Sequence, residues 1–306
     1  MDKRIKKVRL SGVYEKKRAT GIFGDLGIKE LHYSKGVDPD EISDYILERK
    51  PEQITERVYR YGQYIRKFKP PGSLKLLYYC QQLGLPVENP LIMGRYKDRG
   101  EVLIFDTVDG DDYEGVLLGE RKFFKLRRPI LRREEMESLG KTAYLFCSKG
   151  GGILLGDSFL RNYMYNGSAA IRVDIVPKNC LILDIDWGQI NQDSGSIGDF
   201  IEEEYDGWNY LVSDVGLIIT DMADKLTNTA NYEERFLGNS EAFLTGYAND
   251  ELSRVLAEIL WSNAQKLPEY MKKARDGHKS FMELYIAELE KKKECGEMVI
   301  IRKGKH

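Results

Sequence analysis

The 306 residues are 42% hydrophobic, 11% aromatic and 31% charged, a globular composition that excludes wholesale disorder and supplies apolar mass for a sizeable core. The formal net charge of −2 conceals an asymmetry: residues 1–150 hold 30 Lys and Arg against 23 Asp and Glu, and residues 151–306 hold 17 against 26. The longest apolar runs, 102–105, 180–183 and 215–219, fall far short of the roughly 18 residues of a membrane span, and Met1-Asp2-Lys3-Arg4 is not followed by the apolar stretch of a secretory signal.

The expected compartment is therefore the cytoplasm. Cys80, Cys147, Cys180 and Cys295 are widely spaced with no C-x-x-C, and there are three histidines. No zinc pattern can be assembled from them, so reduced thiols and no structural zinc are expected.

Along the chain, residues 1–36 are basic and punctuated by glycines, with strand-like pieces at 8–14 and 30–33. Residues 38–84 predict three helices. Asp38-Pro39-Asp40-Glu41 is a capping start for the first. The second follows Pro51, where Ile54, Val58, Tyr61, Ile65 and Phe68 form a stripe of helical spacing that ends at Pro70-Pro71-Gly72. Ser73 can cap the third, which buries Leu76, Leu77, Cys80 and Leu83.

From about residue 100 the period becomes two. Segments 102–108 and 113–118 flank Asp109-Gly110-Asp111-Asp112 as a hairpin. Further strands are predicted at 122–127, 143–148, 169–176, 180–186, 209–213 and 215–220, interrupted by a helix over 156–165. After 220 the chain returns to helices, with Leu252, Val255, Leu256, Ile259 and Leu260 on one face and a second helix over 280–293. A strand at 298–302 closes it. The expected fold is α+β: an N-terminal helical module over 1–95, a mainly antiparallel or mixed β core over 96–222, and C-terminal helices over 223–306.

Several constellations bear on chemistry. Arg57, Arg60, Tyr64 and Lys67 fall on the outer face of the predicted second helix, and with the basic N-terminus they form a stripe suited to a nucleic-acid backbone or to plain solvation. Asp184 and Asp186 alternate along a strand with Asp174 on its neighbour, a carboxylate arrangement that metal-dependent nucleotide chemistry uses and that strand ends also show without any metal. Lys149-Gly150-Gly151-Gly152 leads to Gly156-Asp157-Ser158, a flexible loop without the Gly-Lys-Ser/Thr ending of a phosphate loop.

The order of Phe124-Lys-Leu-Arg-Arg-Pro, then Tyr144-Leu-Phe-Cys-Ser, then Ile171-Arg-Val-Asp-Ile-Val-Pro-Lys-Asn-Cys-Leu-Ile-Leu resembles the mono-ADP-ribosyltransferase superfamily over residues 100–220. The resemblance implies NAD as cofactor. It puts Arg127 or Arg128 on the diphosphate and Ser148 on the serine strand beside the nicotinamide ribose. The acid that stabilises the positive charge on the ribose would come from Glu202, Glu203 or Glu204, since Tyr210 lies near the register where the family has its glutamate. It further implies a macromolecular target and a toxin or phage–host effector role. Two other classes fit the residues: a nucleic-acid-binding or metal-dependent nucleotide-processing protein, and a non-catalytic structural or regulatory protein.

Overall fold

A computed structural model of the chain describes residues 2–96, 100–108, 111–118, 133–183, 185–192 and 205–294. Its contacts divide it into two units, Met1–Asp109 with Val173–Cys180, and Gly110–Arg172 with Leu181–His306.

Unit 1 is built on β1 (Tyr14–Arg18), β2 (Glu30–Ser34), β3 (Glu52–Thr55), β4 (Val58–Tyr61), β5 (Tyr64–Lys69), β6 (Pro90–Tyr96) and β7 (Gly100–Asp106). They form one antiparallel sheet in the order β1-β2-β6-β7-β5-β4-β3. Helix α1 (Lys3–Lys6) precedes β1, and α2 (Gly21–Asp25), α3 (Pro39–Leu47) and α4 (Ser73–Gln82) lie in the connections between strands. Phe23 of α2 and Ile42 and Ile46 of α3 pack with Leu31, Ile92, Val102 and Ile104 of the sheet. Helix α4 crosses over between β5 and β6 and packs on β6 and β7.

Two of the three helices expected in 38–84 are present. The start of α3 is as its sequence dictates: the Asp38 carboxylate accepts the Asp40 N–H at 2.9 Å, and Pro39 sits in the first turn. The expected middle helix is instead the meander β3-β4-β5. Its helical stripe is coincidental, because Val58, Tyr59, Tyr61, Tyr64, Ile65 and Phe68 are β-branched or aromatic. Gly62, at φ +61, opens the two-residue turn joining Tyr61 to Tyr64, the position where such a hairpin demands glycine. Strand β5 also pairs with β7 along its whole length, from Tyr64 opposite Asp106 to Lys69 opposite Glu101.

Unit 2 is mainly helical. Its helices are α5 (Tyr113–Leu118), α6 (Arg133–Ser148), α7 (Trp187–Gln192), α8 (Tyr205–Leu226), α9 (Tyr232–Tyr247), α10 (Glu251–Ala264), α11 (Leu267–Asp276) and α12 (Phe281–Glu294). Short strands β8 (Asp111–Asp112), β10 (Tyr163–Tyr165) and β11 (Ala170–Arg172) make one small sheet, and β9 (Ile153–Leu154) pairs with β12 (Leu181–Ile182). Helices α6 and α9 cross so closely that a Cβ on Gly140 would lie 1.9 Å from the Phe243 carbonyl oxygen.

The α+β class stands. Helices α10 and α12 form where their apolar spacing predicts. The strands expected at 143–148, 209–213 and 215–220 are helical, in α6 and α8, and 113–118 is α5. Over 156–165 the structure has a single 3₁₀ turn, Leu160–Asn162, followed by β10. The strands expected at 122–127 and 298–302 lie outside the described residues. No helix among the described residues is long and apolar enough to cross a membrane.

Candidate functional site

In unit 1, strand alternation puts Lys67 and Lys69 on the same face of β5. Both are buried. The Lys67 ammonium pairs with Glu88, which is itself 5% exposed and stands in the segment between α4 and β6. The Lys69 ammonium pairs with Asp174, and burial draws its pKa down while the Asp174 charge opposes that shift. Glu88 also accepts the Asp174 backbone N–H at 3.1 Å, so one carboxylate ties the strand lysine to the segment 173–180. Asp174 has φ +67, a left-handed conformation that an aspartate tolerates better than most residues but that still needs support from its surroundings. Its side chain is 49% exposed, against 4% for Lys69. Glu101, opposite Lys69 on β7, accepts the N–H groups of Gly72 (2.7 Å) and Leu74 (2.9 Å) and so anchors the start of α4.

In unit 2, helix α8 clasps an irregular loop. Asp214 and Asp221 stand two turns apart on it, hence on one face. Asp214 accepts the N–H groups of Leu155 (2.8 Å) and Gly156 (3.1 Å), and Asp221 accepts that of Leu160 (2.8 Å). Burial raises the pKa of both carboxyls, that of Asp221 to about 6, while these backbone donors pull the other way. Inside the clasped loop the Asn162 amide donates to the Asp157 carbonyl oxygen at 2.7 Å. The Asp157 carboxylate pairs with Arg172.

The transferase-type site is not assembled. Ser148 is the last residue of helix α6, not part of a strand. The expected late strand over 209–220 is the body of α8. Both strands that frame that site are therefore helices. Arg127, Arg128, Glu202, Glu203 and Glu204 lie outside the described residues.

The expected basic stripe is not one face either. Arg57 is in the β3–β4 turn, Arg60 and Lys67 share a face of the meander, and Tyr64 points the other way. Arg60 donates to the Gly62 carbonyl oxygen at 3.1 Å, Tyr64 packs edge-on against Tyr45 at 5.1 Å, and Lys67 is buried against Glu88. Of the expected carboxylate trio, Asp186 caps α7 by accepting the Gln189 N–H at 3.0 Å. Asp184 lies outside the described residues. Among the described residues no three His, Cys, Asp or Glu side chains gather to hold a metal.

The sequence signals that were missed are three. Asp157 and Asn162 form an Asp-x-x-x-x-Asn, Asp174 follows twelve residues later, and Asp214 and Asp221 stand seven residues apart on either side of an apolar run. None is conspicuous alone, because each motif is short and falls in a segment whose local pattern suggests ordinary strand and turn.

No family model matches the chain, and no curated protein matches it. Among solved structures, WaaP in complex with acyl carrier protein is similar at 12% identity and a TM-score of 0.44, over 82% of this chain and 98% of that one. The pseudokinase domain of BIR2, an immune regulator of the RLK/Pelle family, is similar at 12% identity and a TM-score of 0.37, over 98% of this chain and 100% of that one. These neighbours have a kinase-like fold and are not ADP-ribosyltransferases. The two helices, α6 and α8, stand where that site needs strands, and this corrects the transferase reading together with the toxin and effector roles it implied.

Proposed function

We propose that the chain is a phosphotransferase of the protein-kinase type, acting on a hydroxyl with a nucleoside triphosphate as donor. The observation that carries the reading is the loop around Asp157 and Asn162. Protein kinases use an Asp-x-x-x-x-Asn loop whose aspartate accepts the proton of the attacking hydroxyl, together with a strand lysine ion-paired to a glutamate and a later aspartate for the metal. Here the corresponding residues are Asp157, Asn162, the Lys67–Glu88 pair and Asp174. The strand arrangement agrees: two hairpin-linked strands precede the lysine strand, and a helix follows before the next pair.

The residues fit a magnesium nucleotide. Magnesium is held by one or two carboxylates plus the substrate's own phosphates rather than by a protein cage, so the half-exposed Asp174 would suffice together with the nucleotide's phosphates. The cation would neutralise phosphate charge and orient the transferred group. Lys69 and Lys67 supply positive charge on unit 1, and Glu88 keeps Lys67 in place. In the transfer the hydroxyl oxygen bonds to the γ-phosphorus, the bond to the leaving nucleoside diphosphate breaks, and the hydroxyl proton passes to Asp157.

The chain departs from the protein-kinase pattern at three places. The β3–β4 turn is Glu56-Arg57 where a kinase has its glycine-rich cover, Leu155-Gly156-Asp157 stands for His-Arg-Asp, and Asp174-Ile175-Val176 stands for Asp-Phe-Gly. Without glycines in that turn, side-chain cations rather than backbone amides carry the phosphate contacts.

Calorimetry of the full chain with ATP, with and without magnesium, tests the reading. Binding is expected to need magnesium, and Asp174→Asn to remove that dependence. Asp157→Asn is expected to keep binding and to lower turnover by about 10²–10⁴-fold. A wild-type chain that binds no magnesium nucleotide sinks the proposal, and binding without transfer to any hydroxyl sinks its catalytic half.

A further inference from the structure

Arg172 has no solvent exposure at all, yet it is one of the largest side chains in the interior of unit 2. An arginine buried to that degree is costly unless its charge is met. One terminal nitrogen meets the Asp157 carboxylate and also the Asp157 carbonyl oxygen at 3.2 Å. Its guanidinium carbon stands 4.8 Å from the Tyr163 ring centroid. Tyr163 in turn donates its hydroxyl to Ser158 at 3.4 Å. The remaining nitrogens, Nε and Nη1, are buried without a hydrogen-bond partner. Asp214 contributes attraction from α8, but its oxygens are spent on the loop amides. The burial of this arginine is therefore answered chiefly by one side chain, that of Asp157.

We infer that Arg172 is a positioning residue for Asp157: its buried guanidinium fixes the carboxylate's direction from behind while Asp214 and Asn162 fix the backbone on either side. The inference rests on the phosphotransferase reading for its functional consequence and on the buried pair alone for its structural one. It adds a residue outside the Asp-x-x-x-x-Asn loop, fifteen positions along the chain. Strand β11 holds it there by pairing Arg172 with Tyr163. A carboxylate held by a buried, planar guanidinium that cannot itself move keeps one orientation, whereas a free aspartate samples several rotamers.

The test compares the full-length wild type with Arg172→Lys, Arg172→Met, Asp157→Asn and Asp157→Asn/Arg172→Met. The first readout is the melting temperature, which needs no activity. Asp157→Asn strands the buried cation and is expected to lower it by about 6 °C or more. Adding Arg172→Met to that variant is expected to restore at least half of the loss. Additive losses overturn the pairing.

The second readout is turnover with magnesium ATP. Arg172→Met is expected to lower kcat at least tenfold with KM for ATP within about threefold, and Arg172→Lys to recover most of the rate. Unchanged kcat, or a loss confined to KM, overturns the positioning role. Coupled melting with no turnover in the wild type upholds the pair and overturns the phosphotransferase reading instead, so the two failures are told apart.

Discussion

Asp221 shows what a single buried carboxylate does to stability. It is 7% exposed, and desolvation pushes its pKa from 3.8 up to about 6, against the pull of the Leu160 N–H and Lys225. A carboxyl whose folded pKa is raised binds its proton more tightly in the native state than in the unfolded one. Its contribution is therefore most favourable below about pH 4 and is lost as pH rises through 6. The gap corresponds to ~3 kcal/mol by pH 7. Asp221→Asn keeps an oxygen for the Leu160 amide and cannot ionise. Urea unfolding should find the variant more stable than wild type at pH 7.5 by up to about 3 kcal/mol, with the difference closing by pH 4. A variant weaker at every pH would mean that the clasp depends on the negative charge itself. Residues such as Asp221 and Asp214 are legible only in hindsight, because the run between them reads as strand and nothing local says that they share one buried helix face. Arg172 and Glu88 are less legible still, since their partners are 15 and 21 residues away and meet them only through tertiary pairing.

At the scale of elements, the α6–α9 crossing turns on two glycines. A methyl on Gly140 meets the Phe243 carbonyl oxygen at 1.9 Å, and one on Gly246 meets the Glu137 carbonyl oxygen at 1.9 Å. Backbone cannot yield as a flexible side chain does, so alanine at either position must push the helices apart. Gly238, also on α9, has nothing within 4 Å of an added Cβ. The expected outcome is a contrast measured by thermal unfolding. Gly238→Ala gains up to ~1 kcal/mol from helix propensity, while Gly140→Ala and Gly246→Ala each lose about 3 kcal/mol or more. Equal gains at all three would refute the close crossing. Elements whose signals are local were readable from sequence: the cap at Asp38 and the apolar face of α10, whereas Ser73, expected as a cap, is the first residue of α4 behind Gly72 and donates its hydroxyl to the Pro70 carbonyl oxygen. Those decided by distant partners were not. The meander β3-β4-β5 matches a helical period, yet β7 supplies its pairing. Residues 143–148 and 209–220 match a strand reading because they are rich in apolar residues, yet they are turns of long helices, where a nearly continuous apolar run is equally at home.

For the whole molecule, charge follows the two units. Unit 1 holds 22 Lys and Arg against 17 Asp and Glu, and unit 2 holds 25 against 32, so the asymmetry in the sequence survives the assignment of 173–180 to unit 1. That reassigned segment is what the linear sequence hides: eight residues from beyond position 170 complete a sheet domain whose strands end by 106. They bring Asp174, which meets the buried Lys69 ammonium and donates its N–H to Glu88. A fragment of residues 1–109 keeps every strand of the sheet but leaves Lys69 buried without that carboxylate, a loss that removing one partner of a buried pair makes expensive. Denaturant unfolding should therefore place the fragment about 3 kcal/mol or more below one in which 173–180 is rejoined through a glycine–serine linker. Lys69→Met in the short fragment removes the stranded charge and should recover much of that gap, whereas the same change in the rejoined fragment should lower stability. Equal stability of the short and rejoined fragments would mean that the Lys69–Asp174 pair contributes nothing to unit 1, and that the later segment is held by its covalent neighbours rather than by the charges it meets there.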